Sequence, residues 1–145
     1  MRWKDIKLMG RISMPITLAN NQDRALADAG FLSEDQVRRV TLVGVVDTGA
    51  TRLVIPESAA IQLGLPLAGQ VKVRYTDNRS TSKELVDQVH VTLLGRDSVF
   101  KALVEPDRKD ALIGAIVMED LDFLVDCTNQ KIYPRDPDMI VSEVE

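Results

Sequence analysis

The residues best suited to chemistry are Asp47-Thr48-Gly49-Ala50-Thr51. They follow the almost wholly apolar run Val40–Val46 and precede Leu53-Val54-Ile55. A carboxylate set between apolar strands is costly to leave as an unpaired buried charge. Such a group needs a partner, a raised pKa or a function, and the function open to it is proton transfer. Gly49 lets the backbone turn without a side chain blocking access to the acid. The Thr48 hydroxyl is placed to brace the loop by hydrogen bonding. Asp, Thr and Gly are also turn residues, so a plain strand-ending turn is the competing reading.

The elements around this loop are mostly short strands. Ile12–Leu18 is one, with Pro15 pushing it towards an edge or a bulge. Val40–Val46 has the unbroken apolar, β-branched character of a strand buried on both faces. Val71–Thr76 alternates, as does Val89–Leu93, with Val89, Val91 and Leu93 on one face. Val99–Val104, Phe123–Val125 and Lys131–Tyr133 complete the set, separated by turn-forming residues. Helical signals are few. Pro56–Gly64 starts on Pro, carries an acid in its first turn and ends on Gly, with Pro66 beyond. Ser33–Gln36 fits a capping box that opens a turn or two within the polar stretch Asn20–Arg39. Ala115–Asp120 is a further short helical segment. The pattern predicts a mainly-β barrel or sandwich, residues 1–145 forming one domain. Residues 136–145 read as an acidic tail or as a strand that orders against a partner.

The run VVDTGAT resembles the active-site loop of retropepsin-like (retroviral-type) aspartic proteases, here of the single-domain bacterial type. A second element of that family is an apolar-apolar-Gly motif leading into a short helix. It stands here as Leu112-Ile113-Gly114, followed by Ala115–Leu121. The resemblance runs from about residue 10 to residue 135. It implies a closed acid-protease β-barrel with one or two short helices. It also implies Asp47 as the catalytic acid and base, in a loop completed by Thr48, Gly49, Ala50 and Thr51. Leu112, Ile113 and Gly114 would support that loop and the substrate floor, and Tyr75, Thr76, Asp77 and Asn78 would form a flap. Tyr75 reads equally well as a flap residue over the substrate and as a strand aromatic. Two features depart from the family pattern. Tyr75–Lys83 contains no glycine, although Asp77-Asn78 suits a tight hairpin turn. The long polar stretch Asn20–Arg39 replaces a short turn.

Aspartic proteolysis uses two carboxylates that share one proton. Like charges so close do not both ionise, and the pair titrates as a unit. The chain carries a single Asp-Thr-Gly, and its nearest echo, Asp126-Cys127-Thr128, lacks the glycine. The expectation is a homodimer with Asp47 of each copy at a twofold axis. By resemblance, Thr48 would bond to the opposing loop and each copy would supply one flap. An extended peptide or protein substrate would pair as an added strand. The rival reading is a catalytically inactive, dimeric peptide-binding module on the same fold, since a fold does not guarantee a function.

Composition narrows the remaining classes. Hydrophobic residues make up 45% of the 145 and charged residues 28%, an ordinary globular balance. The net charge of −4 argues against nucleic acid as partner. A single cysteine, Cys127, excludes an intrachain disulfide, and a single histidine, His90, excludes a His pair on a metal within one chain. The resemblance calls for no metal and no organic cofactor. No apolar run approaches the ~18 residues of a membrane span. The N-terminal segment, broken by Lys7, Gly10, Arg11, Ser13 and Pro15, does not match a secretory leader, so a cytoplasmic, membrane-free setting is expected. His90 is expected to be partly exposed on its strand and Cys127 to be a small buried hydrophobe. A Cys127–His90 nucleophilic pair has no supporting motif. Trp3 would pack at a dimer interface or over the barrel end. Ala50 places no hydroxyl beside the carboxylate, removing one stabiliser of its ionised form. A pH–rate profile for peptide cleavage should therefore peak in the mildly acidic range. A maximum in the strongly acidic range would contradict this reading of Ala50.

Overall fold

The computed structural model describes residues 11–145; Trp3 and the N-terminal segment lie outside the described residues. Nine strands are present among the described residues. β1 (Ser13–Asn20) and β2 (Arg39–Val46) pair antiparallel, with Ser13 opposite Val45 and Ala19 opposite Arg39. β3 (Leu53–Pro56), β4 (Leu67–Arg74), β5 (Ser80–Leu93), β6 (Arg96–Glu105) and β7 (Ala111–Ile113) follow. They form one seven-stranded sheet in the order β1-β2-β7-β3-β6-β5-β4. A further β1–β5 pairing, Thr17–Asn20 against Val89–Thr92, closes six of these strands into a barrel. β4 lies outside the closure as an edge strand on β5. β8 (Phe123–Asp126) and β9 (Lys131–Pro134) make a separate hairpin. This is the mainly-β closed barrel expected of an acid protease.

Closure depends on how β5 turns. Its first half pairs with β4, and its second half pairs with β1. Between Val86 and Val89 the register against β6 slips by one residue, and Gln88 sits at φ 62°. A one-residue bulge of this kind bends and twists a strand. The Asp87 amide donates to Pro66 O at 3.0 Å, which ties the bend to the chain entering β4. The hairpin end of β5 thus leaves the barrel while its other end seals it.

The barrel interior is filled by Ile16, Leu18, Ile55, Val89, Val91, Leu93, Ala111 and Ile113. Fully burying one such Val, Leu or Ile contributes roughly 1.5–3 kcal/mol. The alternation read along Val89–Leu93 is present as expected. Expectation and structure differ at β2. The strand does not bury both faces: Arg39, Thr41 and Val43 point out, and Val43 is 47% exposed. β2 is a wall of a closed barrel, and its outward face is covered only at Val45, beside the Asp47 loop. Pro15 lies in the half of β1 that pairs with β2 alone, the edge position its missing N–H demands.

Among the described residues three short α-helices are present rather than one or two, with one 3₁₀ turn at Glu34–Gln36. α1 (Asn21–Asp28) was not foreseen, because its surface sequence NQDRALAD carries almost no apolar periodicity. Its signal is Asn20, whose side chain accepts from the Asp23 amide at 3.0 Å as N-cap. Asn20 is fully buried, and its Nδ2 donates to Leu63 O at 2.8 Å, so one side chain joins β1, α1 and the next helix. That helix, α2 (Glu57–Leu63), ends as expected at Gly64 with φ 61°. The Leu65 and Gly64 amides return to Ala60 O and Ile61 O, which satisfies the last carbonyls. The Ser33 amide donates to Gln36 Oε1 at 2.9 Å, the backward half of the expected capping box. α3 (Ala115–Asp120) is also where the sequence placed it. No helix among the described residues is long and apolar enough to cross a membrane.

Two single-residue expectations are corrected. Cys127 is exposed, because it sits in the β8–β9 turn; Asp126 organises that turn by accepting from the Asn129 amide and side chain. The Asn129 side chain is the main reason the Asp126 carboxyl titrates below the usual range. His90 is buried, with Nε2 2.8 Å from Asp97 Oδ2. α1 packs against β1 and β5, so this part of β5 is not an open sheet face. No hydrogen bond joins Cys127 to His90. In the single chain the tail, residues 136–145, is fastened to the body by Arg135. Arg135 pairs with Asp122 at 2.9 Å and Glu143 at 2.8 Å, and donates to Val141 O at 3.0 Å. Burial works to raise the Asp122 pKa, but the Val141 amide and Arg135 outweigh it and hold the carboxyl low.

Two ion pairs tie the stretch Asn20–Arg39, Arg39 with Glu34 and Arg38 with Asp23, and the second is the more buried. Asp23 accepts from Arg38 Nε at 2.8 Å, Nη2 at 3.0 Å and the Arg38 amide at 3.1 Å. The Arg38 side-chain bond is the largest cause of the lowered Asp23 pKa, set against desolvation, which raises it. A carboxyl whose folded-state pKa is depressed adds stability above its unfolded value of 3.8 and loses it as pH falls through the folded-state value. Asp23→Asn should cost about 1 kcal/mol at neutral pH, the half-exposed guanidinium being partly screened. In urea unfolding, that difference from the unaltered chain should shrink as pH drops below 3.8. A difference that stays constant into strong acid would contradict the ion-pair account.

Candidate active site

Asp47 stands at the mouth of β2, where the chain leaves the barrel wall. The two wall strands that flank this point run parallel: β2 with β7, and β3 with β6. Parallel pairing brings the loop Asp47–Arg52 against the end of β7 and the start of α3. The Asp47 amide donates to Ile113 O at 3.0 Å, which continues the β2–β7 ladder into the loop. The Ala50 amide closes a turn onto Asp47 O at 3.0 Å. The first amides of α3 are turned to the same purpose: Ala115 donates to Ala50 O at 2.8 Å and Ile116 to Thr51 O at 3.0 Å. Helix-start amides have no partner within their own helix, so these bonds serve helix and loop together.

Gly114 makes this contact possible. A Cβ there would meet the Arg52 carbonyl and lie 2.8 Å from Ala50 O, both rigid backbone atoms. Leu112 and Ile113 support from beneath, Ile113 fully buried and Leu112 half-buried. The structure therefore brings Leu112, Ile113 and Gly114 against Asp47–Thr51.

Within the loop, Asp47 is half-buried, and its Oδ1 accepts from the Gly49 amide at 3.0 Å. Gly49 does not occupy the left-handed region; its value is space. A Cβ at position 49 would lie 3.2 Å from Asp47 Oδ1 and crowd the carboxylate. Thr48, Gly49 and Thr51 are exposed, and Ala50 is half-buried.

The β4–β5 hairpin overhangs this loop. Tyr75 N–H donates to Arg79 O at 2.9 Å, and Asn78 N–H donates to Tyr75 O at 3.0 Å. Asn78 takes φ 70°, so asparagine fills the left-handed position that a three-residue hairpin loop needs. This is how the tip dispenses with glycine. Asp77 accepts from Arg79 Nε at 2.6 Å, and the Arg79 guanidinium lies 5.2 Å from the Tyr75 ring centre. Tyr75 reaches down and donates to Glu105 Oε1 on β6 at 3.0 Å. Lys83 Nζ is 3.4 Å from the other Glu105 oxygen. Between hairpin and floor lies a cleft of about 640 Å³ that contains Asp47, Tyr75 and Thr76. Asp77 and Asn78 form the exposed tip and do not line it.

Sequence reasoning missed Glu105 and Lys83, which pin the hairpin, because neither belongs to a motif. It also missed the cations lining the cleft, of which Arg52, one residue past the loop, was the most accessible signal. The Asp126-Cys127-Thr128 echo sits on the β8–β9 hairpin and does not line the cleft.

A barrel that delivers Asp-Thr-Gly beneath a hairpin, with Leu-Ile-Gly packed under it, defines the acid-protease class. A family model described as aspartyl protease matches residues 35–117, from the 3₁₀ turn into α3. That is more than half the chain, and the chain belongs to this retropepsin-like aspartyl protease family. No curated protein matched the sequence.

Gly114→Ala should destabilise the fold by about 1–3 kcal/mol or more, because rigid carbonyls cannot yield to the methyl. Gly44→Ala is the comparison: there the nearest atoms are side-chain ends, Ile113 Cδ1 at 2.8 Å and Ile16 Cγ2 at 3.0 Å, which yield more readily than backbone carbonyls. Denaturant midpoints should rank unaltered chain above Gly44→Ala, and Gly44→Ala above Gly114→Ala. The reverse order for the two glycines would contradict the clamp.

Proposed function

We propose that this chain is an aspartic endopeptidase that works as a homodimer, with Asp47 of each copy forming the catalytic pair. The observation that carries this reading is the half-buried Asp47, held by backbone bonds in a loop that opens on a cleft beneath a hairpin. Family membership supports it. So does the presence of one Asp-Thr-Gly per chain, since the reaction needs two carboxylates. The exposure of Thr48 and Gly49 leaves the loop free to meet its copy across a twofold axis.

In this reading the two carboxylates share one proton. The ionised member takes a proton from water, which attacks the scissile carbonyl, and the protonated member donates to the carbonyl oxygen. The proton then passes to the leaving amine. Thr48 and Gly49 shape the loop. Leu112, Ile113 and Gly114 hold it from below. Tyr75 and Thr76 face the substrate from the hairpin, with Asp77 and Asn78 at its tip. The peptide lies extended along β4, whose outer edge has no strand partner among the described residues, and adds to it by main-chain hydrogen bonds. Val54, Val71, Val73, Leu103 and Leu112 give the cleft apolar walls beside Asp47, suited to apolar side chains near the scissile bond.

One observation favours the second reading, a peptide-binding module without turnover. The hairpin tip has no glycine, and it is tethered to β6 through Tyr75 and Glu105. The two readings separate on one experiment. Asp47→Asn should abolish cleavage of a diverse peptide mixture while leaving the circular dichroism spectrum and the dimer unchanged. A transition-state-type aspartic protease inhibitor should block the unaltered protein. Undiminished cleavage in the variant would refute the assignment of Asp47. Tight binding of peptides that stay intact with the unaltered protein would establish the module instead.

A further inference from the structure

The cleft carries a charge opposite to that of the chain. The protein is acidic, at −4 overall. Yet four cations, Arg52, Lys72, Arg74 and Arg108, line the cleft against two carboxylates, Asp47 and Glu105. Glu105 is already engaged by Lys83 and by the Tyr75 hydroxyl, so it offers little to neutralise the others. The cations are not engaged in return. Arg52, Lys72 and Arg74 make no ion pair or side-chain hydrogen bond among the described residues. Arg108 donates only to a backbone carbonyl, Asp110 O, at 2.8 Å.

The placement of the cations matters as much as their number. Arg52 follows directly on the Asp47 loop and belongs to the floor. Lys72 and Arg74 lie along β4, the wall with the open strand edge. Arg108 lies in the turn after β6. A segment lying along β4 therefore passes cations on the wall, the floor and the far side. Like-signed charges around a cleft with low-dielectric walls attract the opposite charge and repel their own. The free edge of β4 selects a main chain able to pair with it, so the anionic occupant is a peptide.

We infer that this cleft selects acidic peptides: extended segments with apolar residues beside Asp47 and Asp or Glu on the flanks. The inference deepens the peptidase reading and rests on its placement of substrate in this cleft. Arg52, Lys72, Arg74 and Arg108 are then specificity-determining residues. They take no part in the chemistry at the scissile bond.

The test separates binding from turnover. Three matched fluorescent peptides share one apolar centre and carry Glu, Gln or Lys at the same flanking positions. Their affinities for the Asp47→Asn protein are measured by anisotropy, so that cleavage plays no part. The Glu peptide should bind about tenfold more tightly than the Lys peptide at low salt, as several exposed pairs of modest strength together give. The gap should close as salt rises and the Debye length shrinks from ~10 Å at 0.1 M to ~3 Å at 1 M. Arg74→Glu, at an exposed position, should lower the Glu-to-Lys affinity ratio several-fold. Lys72→Glu provides a second, independent reversal. Equal affinities, tighter binding of the Lys peptide, or no binding of any peptide overturns the inference. Cleavage of the same three peptides by the unaltered chain is scored separately. Glu-selective binding without cleavage upholds the acidic preference and removes the peptidase reading. Cleavage with no Glu preference in binding does the reverse.

Discussion

The site depends on a backbone-to-backbone clamp. The carbonyls of Ala50 and Thr51 receive the first amides of α3, and the Asp47 amide is bound to Ile113 O. None of these bonds uses a side chain, so they hold the loop whatever side chains it carries. Only a residue without a Cβ admits the approach, and Gly114 is that residue. Loss of the clamp would leave helix amides and loop carbonyls unpaired together, and an unpaired buried polar group costs about 1–3 kcal/mol. Rigidity of this kind suits a carboxylate that must hold one position while protons move through it.

The closed barrel supplies the clamp with fixed ends. β2 and β3 lead into and out of the loop, and each is held by a parallel neighbour, β7 and β6. β5 completes the wall only because the bulge at Gln88 redirects it from β4 to β1. The same bend frees the β4–β5 hairpin to overhang the loop. Barrel closure and cleft formation thus share one backbone irregularity. A straight β5 would continue along β4, and β1 would lose its seal.

What the sequence made legible was local. Asp47–Thr51 and Leu112–Gly114 are contiguous motifs, and their residue types are dictated by tight backbone approach. Val89–Leu93 announced its core face by alternation, and Gly64 announced the end of α2 by its αL position. What stayed hidden depends on partners distant in sequence. α1 is specified by the Asn20 cap and by docking on β1 and β5, not by its own apolar pattern. His90 owes its burial to its surroundings in the folded chain. The apolar run of β2 suggested burial on both faces. A sequence window does not reveal that one side of a barrel wall faces outward. Tyr75 was ambiguous for the same reason: its bond to Glu105 spans two strands of the finished sheet.

The cations of the cleft admit a competing purpose, and their positions decide against it. Lysine and arginine on an exposed edge strand discourage pairing with other chains. Lys72 and Arg74 on β4 satisfy that description. Arg52 and Arg108 do not, since neither lies on the edge, yet both line the same cleft. Edge protection also gives no reason for Glu105 to be neutralised by Lys83 and Tyr75 while the cations are left without carboxylate partners. The proposed recognition of an acidic strand would account for both halves of the pattern. The same charges would repel mismatched strands, so protection of the edge would follow from selectivity at the cleft.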